Sequence, residues 1–467
     1  MEQWGLSLEA IAGLDKRLQT FWRGYGGRTR TKTRDTRAYG EAYLSGMLRM
    51  ESRRNSASIG RTAGVSEQNM QHFISQSPWS GRGMIDDVQA AVVQRGELVG
   101  GMLILDECCE DKRGKHSAGV KKQYNGRHQQ VEPCQVGVYL TYGKGSIWSW
   151  IDGDLYLPQD WFTTAYAQRR LKAEIPAQQT FQTKIELGWQ MIQRAQAAGI
   201  PFEAVAFDSA YGDDHVLRDQ CRAAKIEYYA DVRSSTQVYL RPPEVVRPPN
   251  QQGKLPAHYR ILSPWTVTVK DIAQDPNTLW QALVLRADER GFLQSDFARC
   301  PVWMVRDDGQ IVADTLLLRR DSRGFVTYSL TNAPPDTPLL TLAQRKAQRY
   351  FIERANQDAK SEFAWDEFQS LKYRAWEHHL AFTILASWFI AETRLDWQLE
   401  HPRDPALLDE YATDVLPPLS VANVRAMLRA ALPLPQLSPE QSALLVVQHL
   451  DNRTRSRSSR LKHRFKP

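Results

Sequence analysis

Cysteine is scarce in this chain, and what there is lies scattered. Five cysteines stand in 467 residues, at Cys108, Cys109, Cys134, Cys221 and Cys300. They form no Cys-x-x-Cys pair and have no histidine at zinc-ligand spacing, which argues against a disulfide framework and a zinc site. A reducing cytosol is the expected compartment. Long apolar runs are missing too. The most apolar segment, "LAFTILASWFIA" at 380–391, falls short of the ~20 residues a membrane span needs and reads as a buried core helix. No basic-then-apolar leader pattern opens the chain, and no internal repeat is evident. What remains is ordinary globular composition, 42% hydrophobic and 24% charged, long enough for two to four domains of ~100 to 200 residues. Sixty Lys+Arg against 53 Asp+Glu give a formal charge of +7, a balance that favours a polyanionic partner.

The positive charge gathers near the two ends. One run holds Lys16, Arg17, Arg23, Arg28, Arg30, Lys32, Arg34 and Arg37; the tail holds Arg453, Arg455, Arg457, Arg460, Lys462, Arg464 and Lys466 with no acid among them. Such arms suit phosphate neutralisation, or act as solubilising tails. Between them, "NSASIGRTAGVSEQNMQHFIS" at 55–75 has a helix-turn-helix cadence. A short helix reaches Gly64, Ser66 is placed to cap a second, and Met70, Phe73 and Ile74 give that one an inward face. Any small helical bundle produces the same cadence.

From Glu97 the pattern changes to strands. A run at 98–106 ends in Asp106, followed by "CQVGVYLTYG" and "SIWSWIDGDLYL", which Gly143 to Gly145 join as a hairpin. A helix at about 183–198, the strand "FEAVAFD" ending in Asp208, the helix "DDHVLRDQCRAA" and the strand "IEYYADV" complete the series. Three antiparallel strands are thus followed by crossover units. For roughly a hundred residues after Val232 a Pro-rich stretch and several strands form a β-rich insertion, with one hairpin turning at Asp308-Gly309. A capping box at Thr341 and Gln344 then opens one long helix through "LAQRKAQRYFIERANQDAKSEF".

On that helix Arg349, Glu353 and Lys360 fall within roughly 40° of each other, flanked by Lys346, while Phe351, Ile352, Ala355, Ala359 and Phe363 take the opposite side. Alone, this describes a solvated face with i, i+4 ion pairs. With Asp106 and Asp208 leaving one edge of a sheet whose first and fourth strands adjoin, Glu353 closes a triangle of carboxylates. Oxygen-only ligands suit Mg²⁺ or Mn²⁺, and a two-metal arrangement serves phosphoryl transfer.

These residues resemble the DDE transposases of bacterial insertion sequences, most closely the insertion-sequence 701 family. "DECCEDKRGKHSAGVKKQYNG", "CQVGVYL", "LYLPQDW", "FDSAYG" and "IERANQDAKSE" carry the likeness, over about 95–395. The resemblance implies an α/β fold: an RNase H-like mixed-sheet catalytic core with an inserted β-rich module, a helical N-terminal DNA-binding region and a small helical C-terminal extension. The expected division is 1–94 helical and helix-turn-helix-like, 95–232 core, 233–334 insertion, 335–398 core with the Glu helix, and 399–467 extension with basic tail. It implies Asp106, Asp208 and Glu353 as catalytic ligands of two Mg²⁺ or Mn²⁺ ions. Related transposases carry a Tyr, Arg, Glu, Lys signature. Arg349 and Lys360 match its spacing, but Lys346 holds the Tyr place, and Cys108-Cys109 replaces Thr-Gly. Lys115, Lys121, Arg349, Lys360 and Lys346 are the expected DNA-phosphate contacts. Trp265, Trp280 and Trp303 are the insertion's candidates for an aromatic that grips a flipped base, set against a reading of each as core. The implied partners are double-stranded DNA, both terminal inverted repeats and target, and a second copy of the chain in a homodimer on DNA; the implied place is the cytoplasm, at the nucleoid. The function expected is DNA cleavage at element ends and joining of 3′-hydroxyls to target. A domesticated, catalytically silent DNA-binding protein and a structure-selective nuclease are the alternatives.

Overall fold

A computed structural model describes residues 8–112, 114–126, 128–246, 259–263, 265–288, 291–400, 420–431 and 438. The basic tail from Arg453 lies outside them. The chain opens with helices α1 (Leu8–Tyr25), α2 (Arg37–Arg49), α3 (Ser56–Thr62), α4 (Glu67–Ser75) and α5 (Gly81–Gln94). Strands β1 (Gly101–Asp111), β2 (Lys121–Asn125), β3 (Gln130–Lys144) and β4 (Ile147–Tyr156) follow, the last two turning at Gly145 with φ +58°. After the short helix α6 (Ala167–Lys172), helix α7 (Lys184–Ala197) starts in a capping box between Thr183 and Glu186. Strand β5 (Phe202–Phe207), helices α8 (Ser209–Gly212) and α9 (His215–Ala223), and strand β6 (Glu227–Val232) complete the first half.

The order β4-β3-β1-β5-β6, with β1, β5 and β6 parallel and β3 antiparallel to β1 and β4, is that of an RNase H-like core. Its central strands are apolar on both faces because helices cover both. Leu103 and Leu105 point to the side of α7, and Met102 and Ile104 to the opposite side.

The insertion does not stand apart from this sheet. Short strands β7 (Gln237–Val238), β8 (Val245–Val246), β9 (Arg260–Ile261) and β10 (Val267–Thr268) and helix α10 (Val269–Gln274) precede four long strands, β11 (Gln281–Asp288), β12 (Gly291–Val305), β13 (Ile311–Arg320) and β14 (Val326–Thr331). The β-branched stretch "WTVTV" at 265–269, which reads as a strand, holds only a two-residue strand before a helix begins, because Thr268 and Asp271 form a capping box. β14 pairs antiparallel with β6, making one ten-stranded sheet of core and insertion.

Helices α11 (Leu339–Ala347) and α12 (Tyr350–Ser361) replace the single long helix expected, and the first starts at Leu339 after Pro338 rather than in a capping box at Thr341. The break falls at Gln348 and Arg349. Helix α13 (Tyr373–Glu400) contains "LAFTILASWFIA" and is buried through most of its length; α14 (Val421–Ala431) closes the described chain. Among the described residues, no helix is long and apolar enough to cross a membrane.

Candidate active site

β1 outruns its parallel neighbour. Its pairing with β5 ends at Leu105 and Phe207, while its pairing with β3 continues to Asp111. Asp106 therefore does not end its strand, as the sequence suggests; it sits where the sheet on one side stops, which opens space for its carboxylate. Asp208 follows the last residue of β5 and caps α8, accepting a hydrogen bond from the Ala210 N–H at 3.0 Å. Phe207 also registers with Ala230 of β6. Three successive strands thus place Asp106, Asp208 and Asp231 one residue beyond a common row, Leu105, Phe207 and Ala230.

Asp231 was not anticipated, although the reasoning that singled out Asp106 and Asp208 reaches it in "YYADV". It has three partners: Lys346 of α11, the Arg349 guanidinium at 2.9 Å and the Ser329 hydroxyl of β14 at 2.6 Å. Burial works to raise its pKa, and the two cations outweigh it, holding the carboxyl below its usual range. Lys346 answers in kind. It is 6% exposed, and burial lowers its pKa against the pull of Asp231.

Arg349 stands at the break between α11 and α12, where it also reaches Glu353 at 3.5 Å. Phe351, Ile352, Ala355, Ala359 and Phe363 are buried, as their helical spacing predicts, which turns Glu353 outward with 60% of its side chain exposed. Arg349 is also felt by Asp106 and Asp208. Burial, then repulsion from Asp208, pushes Asp106 up to about 7; burial, opposed by Arg349 and reinforced by Glu107, raises Asp208 as well. Glu107 projects from the other face of β1, where the Lys184 ammonium holds it at 2.7 Å.

The remaining cations divide. Lys360 donates to the Cys109 carbonyl at 3.0 Å and lies 3.4 Å from Glu110, which pins the end of α12 to the overshooting part of β1. Lys121 pairs with Asp160 at 2.7 Å, and Lys115 is exposed. The structure thus brings Arg349 and Lys346 to the aspartate row, and sets Lys360 against the far part of β1, Lys115 in the loop beyond it and Lys121 at the start of β2. A cavity of about 610 Å³ opens beside Asp208, Asp231 and Arg349, with Lys270 and the exposed ring of Phe325 among its lining. Trp265 is 84% exposed, and Trp280 stacks under the Arg320 guanidinium at 4.4 Å; neither they nor Trp303 line this cavity.

The donor set at the row is oxygen only, and two of its carboxyls are raised, first by burial and then by neighbouring carboxylates, a state that a hard divalent cation relieves. The three expected ligands are not drawn together to coordination distance. Among the described residues the group whose ligand atoms lie within 4.8 Å of one another is Asp111, His128 and Glu132, at the far end of β1.

A family model described as DDE superfamily endonuclease matches residues 28–291 of this chain, more than half of it. The chain belongs to the DDE superfamily of endonucleases. The matched stretch of this DDE endonuclease holds Asp106, Asp208 and Asp231 and ends before α12. The DDE endonuclease is also 21% identical over 328 residues to a probable transposase for insertion sequence element IS701 of Microchaete diplosiphon, covering 68% of this chain and 72% of that protein. A piggyBac transposase synaptic complex with hairpin DNA overlaps 96% of this chain and 84% of its own at 12% identity, with a TM-score of 0.36. That overlap is too loose to bear on the site.

Proposed function

We propose that this DDE endonuclease is a DNA transposase that binds the ends of its element, cuts there and joins the freed 3′-hydroxyls to target DNA. The observation that carries the reading is the row of aspartates one residue beyond Leu105, Phe207 and Ala230 on adjoining parallel strands, with Arg349 paired to Asp231 and Glu353 on the helix Arg349 opens. Asp106, Asp208 and Glu353 would hold two Mg²⁺ or Mn²⁺ ions, which when bound supply an activated water or hydroxyl and stabilise the leaving oxygen. Arg349 is placed to take a phosphate oxygen by its bidentate fork, and Asp231 fixes the direction of that fork. Lys115, Lys121, Lys360 and Lys346 add positive charge at the row and along β1, the first two toward the DNA backbone. Double-stranded DNA and a second copy of the chain, pairing two ends, are the proposed partners.

The test is incubation with Mg²⁺ and duplexes carrying the inverted repeats that flank the coding region. Cleavage at the 3′ ends followed by joining is expected. Asp208→Ala and Glu353→Ala should abolish both and still retain these duplexes in a mobility-shift assay; wild-type cleavage rates in either variant would overturn the assignment. Specific binding without any cleavage by the unaltered protein would point instead to a domesticated DNA-binding protein, and cleavage without joining to a nuclease.

A further inference from the structure

Helices α3 and α4 pack against each other across a short turn. Asn55 caps α3, its side chain accepting from the Ser58 N–H at 3.1 Å, and Gly64 makes the turn at φ +69°. A side chain at Gly60 would meet the Val65 carbonyl at 3.0 Å and Met70 Cβ at 3.4 Å, so only glycine fits that crossing without a shift. Ile59, Met70, Phe73 and Ile74 are buried. The inner side of α4 packs on α13, with Phe73 against Phe382 and the Ile74 carbonyl 2.8 Å from His378 Nδ1.

The outer side of α4 presents Gln68, Asn69, Gln71 and His72, all exposed and spanning roughly 160° of the helix. None is a strong cation, so this face is poorly suited to gripping phosphate alone. All four carry side-chain groups that donate and accept hydrogen bonds. The one acid of the helix, Glu67, is tied to Arg61 and so is kept from repelling a polyanion.

We infer that α4 is a base-reading helix. Gln68, Asn69, Gln71 and His72 enter the major groove of duplex DNA and hydrogen-bond base edges, the amides pairing bidentately with adenine. This rests on the reading that the chain binds its element's ends, and it names which residues choose the sequence.

The experiment is selection from a randomised duplex library by the full chain. The unaltered protein should enrich one motif containing A·T pairs. In Gln68→Ala with Gln71→Ala, the preference for adenine should relax about tenfold at each of two positions, with the salt dependence of binding unchanged. Gln71→Arg should replace adenine by guanine at one of those positions, a change that a merely structural role would not produce. If both variants return the unaltered motif, or the unaltered protein retains duplexes without enriching any motif, the inference is overturned while the cleavage test above stands by itself. Failure to retain any duplex overturns both.

Discussion

Asp106 carries an electrostatic cost that its own protonation reports. Its folded pKa of about 7 lies far above the ordinary carboxylate value, so the native state holds a proton that the unfolded chain has released. The sign follows: this group's contribution to stability is full at acid pH, falls as pH rises toward 7, and stays reduced above it. Asp106→Asn should therefore raise the melting temperature of the metal-free protein by a few degrees at pH 8 and by roughly a third as much at pH 5. Scanning calorimetry at the two values decides it, and equal shifts would sink the idea. Asp231 works in the opposite sense, since its ionised form is the paired one. Asp231→Asn would leave the Lys346 ammonium buried without its partner, at a cost of about 3 kcal/mol. Adding Lys346→Met should recover much of that in urea titrations. A double variant no more stable than the single would show that the pair is not what holds α11.

Among the elements, α8 explains the "FDSAYG" run better than its sequence does. A side chain on Gly212 would lie 1.9 Å from the Asp231 carbonyl oxygen, so α8 can lie against β6 only because that residue lacks one. Gly212→Ala should push Asp208 and Asp231 apart, costing about 2 kcal/mol or more and most of the cleavage activity; denaturation and end-cleavage assays check both, and an unimpaired variant would refute the packing account. The core strands were readable because they are apolar runs, and those runs led to Asp106 and Asp208, though β1 continues through the polar residues after Asp106 to Asp111. Strand β2 was not, since "KKQYN" alternates polar residues at a half-exposed edge. Neither was the break between α11 and α12. No Gly or Pro marks it, and the helical spacing runs straight through Gln348 and Arg349. Gln348 and Arg349 keep helical dihedrals while the backbone hydrogen bonds tighten to i, i−3, and Asp231, far away in sequence, holds Lys346 on one helix and Arg349 at the head of the next. The aspartate itself was visible, but its two cations could be matched to it only in the folded sheet.

Across the whole molecule, α13 joins what the sequence divides. Phe382 alone touches Trp22, Tyr43, Phe73 and Trp79, from α1, α2, α4 and the turn before α5, and one turn back His378 reaches the Ile74 and Trp79 carbonyls at 2.8 Å. On its other side α13 packs on β4, where Leu380 lies over Gly153. The N-terminal helices and the sheet therefore share one hydrophobic core, with the buried Arg54 bridging to Glu367 and to the Ser361 and Glu362 carbonyls at the end of α12. α13 packs against both α4 and the sheet that bears the aspartates, so on the reading proposed above the interval between the sequence read and the bond cut would be fixed in whole base pairs. A ruler of that kind tolerates no slack: moving the recognised sequence by half a helical turn would present the scissile phosphate on the wrong side of the duplex.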